Sequence, residues 1–181
     1  MNDLVGPTEE SNWLIPEKLI VGGCPVTPEE VEDIANEGVK LLVCLLDRED
    51  FSSRISKKDY KNLAQSVKIN VIFKPIADGD ITTDRRAFSI ARMVAKTLEK
   101  EHIIVYLHCW GGHGRAGTIG AMVLGLWYRE PFEEVISFLQ KGHQTRLEGG
   151  HHPTPQTEEQ MYQISRFFVA NNIPIFLYNI S

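Results

Sequence analysis

Apolar and polar positions follow two rhythms along this chain. Leu19 to Gly22 is a short extended run that closes on Gly22-Gly23. Lys40 to Leu46 and Ile103 to Leu107 are nearly continuous apolar runs, the pattern of strands buried on both faces. Val67 to Phe73 alternates more, ends near Pro75 and reads as a further strand. Between these runs the period lengthens to that of a helix. Thr27-Pro28-Glu29-Glu30 predicts a helix start: Thr27 caps, Pro28 suits the first position, and Glu30 completes a capping box. Gly38 ends that helix. From about Thr83 to Lys100, Phe88, Ala91, Val94, Ala95 and Leu98 share one stripe. Further helices are predicted from about Thr118 to Tyr128, from Pro131 to Lys141 with a stop at Gly142, and from Pro155 to Ala170. Gln144 to Thr154 is polar and Gly-rich, hence a loop. The alternation predicts an α/β fold, a three-layer sandwich with a mainly parallel central sheet flanked by helices. No linker or internal repeat divides the chain. Residues 1–181 therefore read as one domain, with 1–12 as a polar N-terminal arm.

Composition narrows the function classes. The 181 residues are 43% hydrophobic and 24% charged, as in an ordinary soluble protein, which excludes a disordered chain, a coiled coil and a collagen-like repeat. The net charge of −5 offers no basic footprint for a nucleic acid or an anionic membrane, so neither partner is expected. Cys24, Cys44 and Cys109 are odd in number and few, which predicts free thiols, a reducing compartment and a cytoplasmic location. Met1 to Asn12 lacks the apolar core of a signal peptide, and Ile119 to Tyr128 is too short to cross a bilayer. His151-His152 has no Cys or carboxylate at ligand spacing, so a solvated loop is expected there, with no metal and no cofactor.

The chemistry concentrates in His108-Cys109-Trp110-Gly111-Gly112-His113-Gly114-Arg115-Ala116-Gly117-Thr118, which joins a buried strand to a buried helix. In open α/β sheets, ligands bind beyond the carboxyl ends of the strands. A loop there that opens a helix presents free N–H groups and the positive end of the helix dipole. The four glycines permit a tight loop with its amides turned inward, an anion nest. The phosphate-binding stretch is thus Trp110, Gly111, Gly112, His113, Gly114 and Arg115, with the Arg115 fork bonding two oxygens side by side. Such a setting favours a thiolate. A tetrahedral oxyanion seated over Cys109 implies covalent phosphoryl transfer through phosphocysteine.

His108-Cys109, five residues, then Arg115 resembles the HCx5R signature of the cysteine-based protein tyrosine phosphatases. The short chain resembles their compact, atypical dual-specificity branch. Trp13-Leu14-Ile15-Pro16 and Leu19 to Gly23 look like that branch's opening strands. Pro75-Ile76-Ala77-Asp78-Gly79 looks like its general-acid loop, and Thr157-Glu158-Glu159-Gln160 like the start of its closing helix. The resemblance implies a metal-independent phosphatase acting on phosphotyrosine and phosphoserine/threonine of a phosphorylated protein substrate. It makes Cys109 the nucleophile, Arg115 the phosphate ligand and Asp78 the general acid, with Asp80 and Asp84 as rivals. His108 supports the loop. Gln160 positions the hydrolytic water, with Gln156 as the alternative. The residue after Arg115 departs from the pattern: it is Ala116 where the family usually has Ser or Thr. The missing hydroxyl would support the sulfur when phosphocysteine is hydrolysed, and Thr118 is the one nearby substitute.

Other readings stay beside this one. Inositol or lipid phosphates are the alternative substrates, and Ala116 keeps open a slow or non-catalytic phosphate-binding module. A sulfurtransferase also uses a cysteine in an anion loop, but His108 and Asp78 favour the phosphatase. His113 is expected to face solvent, or to meet a second phosphate when protonated. Arg146 is divided between the substrate rim and the surface, and Trp110 between packing the loop and walling the pocket. Asp47-Arg48-Glu49-Asp50 follows a strand end, so it is divided between facing substrate and, by default, a solvated charge run; Cys44 is expected to be plain core.

Overall fold

The computed structural model describes residues 4–52, 54–100 and 102–175. Strands β1 (Ser11–Ile15) and β2 (Leu19–Gly22) form an antiparallel pair. Then follow α1 (Pro28–Asn36), β3 (Val39–Cys44), α2 (Lys57–Ser66), β4 (Asn70–Phe73), α3 (Asp84–Leu98) and β5 (Ile104–His108). The chain continues through α4 (Arg115–Tyr128), α5 (Phe132–His143) and α6 (Glu158–Ala170). The sheet order is β1-β2-β5-β3-β4, parallel except for the first pair. This is the expected sandwich with a mainly parallel sheet.

The period of two in the strands splits the core. On β3 and beyond, Val43 and Leu45 face one layer while Leu42, Cys44 and Leu46 face the other; on β5, Val105 and Leu107 oppose Tyr106. The first layer is built from α3, α4, α5 and α6, the second from α1 and α2. Helix α4 is buried from Arg115 through Gly125, so it is apolar all round rather than striped. The capping box of Thr27 and Glu30 forms as read from the sequence.

Five local readings are corrected. Helix α2 was not expected: only Tyr60 and Ala64, one turn apart, are buried, too narrow a stripe to register as periodic. Its end takes up Val67, so the strand expected from there begins at Asn70. Helix α4 starts at Arg115 rather than Thr118, and α6 at Glu158 rather than Pro155, because Thr157 and Gln160 form a capping box. The segment expected as a polar arm is tied into the sheet. Ser11 and Asn12 are buried on β1, and Trp13 N–H donates to the Leu4 carbonyl at 2.8 Å. Residues 1–3 lie outside the described residues. Among the described residues no helix is long and apolar enough to cross a membrane.

The sheet places one end for chemistry. Gly22, His108, Cys44 and Phe73 are register neighbours across β2, β5, β3 and β4, so the segments that follow them share a rim.

Candidate active site

Strand β5 ends at His108, and α4 begins seven residues later at Arg115. Each carbonyl of the intervening loop accepts from outside it. His108 Nδ1 meets the Cys109 carbonyl at 3.2 Å, and Cys24 N–H donates to Trp110 at 2.8 Å. Arg146 Nη1 donates to Gly111 at 3.2 Å and Nη2 to Gly112 at 3.1 Å. Thr154 Oγ1 donates to His113 at 2.8 Å, and Thr118 donates to Gly114 through N–H at 2.9 Å and Oγ1 at 2.8 Å. In a trans peptide the N–H points opposite to the C=O. The amides of Trp110, Gly111, Gly112, His113, Gly114 and Arg115 are therefore turned inward. Among the described residues nothing in the protein accepts from them. Gly112 makes the closest bend, with φ of +73°, and a β-carbon there would fall on the Gly22 backbone. Gly114 at the helix cap has no side chain to take the first-turn amides.

Arg146 is 6% exposed, and its guanidinium also donates to Asn12 Oδ1 at 2.7 Å and the Val21 carbonyl at 3.1 Å. It lies behind the loop as a buried peg, not at the rim or on the surface. Burial brings its pKa down to about 10, still far above neutrality, so the charge is retained. His108 is fully buried, which depresses its pKa to about 4. A carbonyl only accepts, so Nδ1 carries the proton. The ring is neutral, so Nε2 accepts from the Tyr60 hydroxyl at 2.6 Å. Burial pushes the Tyr60 phenol well above its usual range, so its proton stays in that bond. His113 does not face open solvent. Its Nδ1 meets His143 Nε2 at 2.7 Å, and its ring lies 4.7 Å from that of His152. Burial, then the Arg146 charge, lower its pKa to about 4, so it brings no charge at neutral pH. What it contributes to the nest is its amide. His151 and His152 stack with ring centroids 4.1 Å apart, and no metal-holding group of three occurs among the described residues.

Arg115 is 2% exposed, and its fork reaches three partners. Nη1 donates to Asp50 Oδ2 at 2.6 Å and to the Ile76 carbonyl at 3.0 Å; Nη2 donates to Asp50 Oδ1 at 3.1 Å and pairs with Asp78 Oδ1 at 2.8 Å. Asp50 was expected in a solvated run. Instead its side chain is 7% exposed and grips the arginine bidentately. Asp47 builds that position: its Oδ1 accepts from Glu49 and Asp50 N–H, and its own N–H donates to Asp50 Oδ2. Burial raises the Asp50 carboxyl, but the Arg115 hydrogen bond, the Asp47 amide and the Arg115 charge outweigh it and hold it below the usual range.

The three acid candidates separate by position. Asp78 is 73% exposed and meets Arg115. Asp80 Oδ1 turns back onto its neighbour's Ile81 N–H at 2.7 Å. Asp84 is gripped by Arg166 through Nε at 2.6 Å and Nη2 at 2.8 Å. Gln160 Oε1 accepts from Gln156 and Thr157 N–H, closing the cap of α6, and its Nε2 donates to the Asp80 carbonyl at 3.4 Å. Gln156 is exposed, and its Oε1 lies 2.5 Å from where a Gly114 β-carbon would stand. Thr118 spends its hydroxyl proton on Gly114, and Ala116 is fully buried. Trp110 packs on the core layer of α1 and α2, with the Arg54 guanidinium 4.7 Å above its ring.

Cys24 and Cys44 are buried free thiols, and burial pushes Cys44 up to about 12. Sequence reading passed over Tyr60, Asn12 and the loop-holding role of Arg146. For Asp50 the signal is its place after the carboxyl end of a central strand, where ligands bind, and the solvated default outweighed it.

Comparison with known proteins follows the same lines. A family model described as "Swiss Army Knife protein, DSP-PTPase phosphatase domain" matches residues 8–162. The chain is 29% identical over 113 residues to the amyloplastic phosphoglucan phosphatase DSP4 of Castanea sativa, covering 60% of this chain and 29% of that protein. It is 30% identical over 124 residues to protein 067L of Invertebrate iridescent virus 3, which its name places among candidate tyrosine phosphatases. That match covers 65% of this chain and 46% of the viral one. The chain thus spans less than half the length of these curated relatives. A glycine-to-alanine mutant of Tk-PTP superposes with a TM-score of 0.71 at 18% identity, over 90% of this chain and 97% of the other. Kinase associated phosphatase, with its catalytic cysteine changed to serine, gives 0.69 at 20% identity, over 84% and 86%.

Proposed function

Since the chain belongs to the DSP-PTPase family of phosphatases, we propose that it hydrolyses phosphotyrosine and phosphoserine/threonine monoesters of proteins through a phosphocysteine on Cys109. The observation that carries this reading is the loop after the cysteine, whose six carbonyls are all held by partners so that its six amides turn the other way. Amides and a guanidinium preset around a tetrahedral oxyanion need no reorganisation as charge develops.

An arriving phosphate competes for Arg115. The Asp50 pair is buried, while the Asp78 pair is screened by solvent, so Asp78 yields first. Its carboxyl then stands free at the mouth. Released from Arg115, the Asp78 carboxylate takes a proton from solvent; the Cys109 thiolate then attacks phosphorus, the bond to the leaving oxygen breaks, and Asp78 gives that oxygen this proton. Water then attacks phosphocysteine, Asp78 takes the water proton, and the sulfur leaves as thiolate. Gln156, exposed beside Gly114, orients that water, because the Gln160 carboxamide is committed to the cap of α6.

The test is a panel of phosphopeptides, inositol phosphates, a phosphorylated glucan and an aryl phosphate, assayed with chelator present. Phosphopeptides are expected to give the highest kcat/KM. A phosphoglucan or inositol phosphate exceeding them overturns the protein substrate while leaving the family assignment intact.

The second half-reaction is expected to be slow. The sulfur regains charge there, Ala116 has no hydroxyl, and Thr118 gives its proton to Gly114. A hydrogen bond to a charged group contributes roughly 1.5–3 kcal/mol, and about 1.4 kcal/mol is tenfold in rate. Ala116→Ser should therefore raise steady-state turnover by roughly ten- to a hundredfold and shrink the burst of phenol seen on rapid mixing with an aryl phosphate. A parent enzyme without a burst, unchanged by Ala116→Ser, rules this limit out.

A further inference from the structure

Charge is segregated along the rim of the sheet. Residues 54–74 hold six Lys and Arg against one Asp, a net of +5 inside a chain of net −5. Folding gathers four of them, Lys57, Lys58, Lys61 and Lys74, with two arginines of α3 on the side of Phe73, the last residue of edge strand β4, while Arg54 goes to Trp110. Lys57 and Lys61 of α2 lie over its ring, with Nζ 4.3 and 5.4 Å from the centroid. On the other side, Phe73, Lys74, Thr83, Arg85, Arg86 and Ser89 line a cavity of about 440 Å³. Among the described residues, none of Lys57, Lys58, Lys61, Lys74, Arg85 and Arg86 is ion-paired with a carboxylate. Lys57 and Lys58 open α2, and Arg85 and Arg86 lie in the first turn of α3, where cations oppose the helix dipole. Helix stability does not account for these charges.

The opposite flank of the loop is acidic. A cavity of about 400 Å³ beside Trp110 is walled by Glu9, Glu10, Glu29, Glu30, Asp33 and Glu148, with Arg54 the one cation in its wall. A flat anionic surface spanning the rim would meet these carboxylates, which disfavours a membrane as the partner of the basic flank.

Resting on the phosphopeptide reading above, we propose that the basic face around Phe73 binds an anionic residue of the substrate, acidic or phosphorylated, some three or four positions from the scissile phosphate. Phe73 lies beside Cys44, and Cys44 beside His108, in register. Two strand spacings of roughly 4.8 Å place the patch about 10 Å from the loop, and an extended peptide advances about 3.3 Å per residue. Lys74 leads directly into the Asp78 loop, and Arg86 Nη2 donates to the Pro75 carbonyl at 3.0 Å, so the patch borders the mouth. The acidic flank repels the same residue if the peptide lies the other way round.

The experiment compares three phosphopeptides with neutral flanks, with two glutamates, or with a second phosphoserine at those positions, placed on either side of the scissile residue. The enzymes are the parent and the triple variant Lys58→Glu, Lys61→Glu, Arg85→Glu. The parent should prefer an anionic peptide over the neutral one by about tenfold in kcat/KM, less at high salt. The triple variant should lose that preference while hydrolysing a small aryl phosphate within about twofold of the parent. Equal rates on all peptides, or a preference that survives charge reversal, overturn the proposal and leave the phosphatase reading standing. If no peptide is hydrolysed, the peptide reading fails, and binding to the Cys109→Ser protein decides: equal affinity for neutral and anionic peptides overturns the basic face as well. Phosphoinositide vesicles that bind only the parent, with no peptide preference, reassign the face to lipid.

Discussion

Replacing Cys109 with serine is expected to cut turnover of phosphomonoesters by more than roughly a thousandfold, while affinity for tungstate or vanadate stays within about threefold. The two halves of this outcome have separate physical origins. Oxyanion affinity belongs to six main-chain amides and Arg115, whose orientation depends on Arg146, Thr154, Thr118, His108 and the Cys24 amide. None of these is altered by exchanging sulfur for oxygen. Turnover belongs to the nucleophile: a serine hydroxyl must lose a proton to attack, and at that step Asp78 holds its own proton for the leaving oxygen. The neighbouring imidazole, His108, has a pKa lowered to about 4 by burial, and both its nitrogens are engaged, by the Cys109 carbonyl and by Tyr60. Steady-state assays with isothermal titration of the oxyanion read both halves. Residual turnover within about tenfold of the parent sinks the covalent route.

Asp78→Asn is expected to lower kcat on alkyl phosphates by roughly 10²–10⁴-fold, and far less on aryl phosphates whose leaving groups need no proton. Geometry selects this carboxylate over its neighbours: Asp84 is committed to Arg166 and Gln163, and Asp80 folds back onto its own backbone. A second readout distinguishes a general acid from a merely structural residue. The same substitution removes the carboxylate that competes with phosphate for Arg115 Nη2, so oxyanion binding should tighten a few fold, by about the contribution of one exposed ion pair. A leaving-group dependence that appears with Asp80→Asn and not with Asp78→Asn transfers the role. Weaker oxyanion binding in Asp78→Asn contradicts the exchange of partners on Arg115.

The elements legible in the sequence were those whose cause is local. The buried strands around Leu42 and Tyr106 announced themselves as apolar runs, and the Thr27–Glu30 capping box closes within four residues. The loop between β5 and α4 was legible for the same reason: its glycines, its cysteine and its arginine fall within one short segment, so the chain specifies the bend locally. Helix α2 escaped because packing against the β4 side of the sheet needs only Tyr60 and Ala64, and two positions make no period.

The settings of the site were decided by contacts distant in sequence. Asp50 meets Arg115 across 65 residues, and Arg146 reaches Gly112 across 34 and Asn12 across 134. A hydrogen bond leaves no periodic trace in the chain. Asp50 in a charged run and Arg146 in a polar loop look the same whether solvated or buried, and only the crossing of β3, β5 and the loop after α5 sets which one occurs. So the sequence by itself determined that a tight glycine-rich loop behind a cysteine opens a buried helix. The tertiary structure decided which carboxylate holds the arginine, which one is left at the mouth, and why His113 and His108 carry no charge, because burial and distant partners set those states.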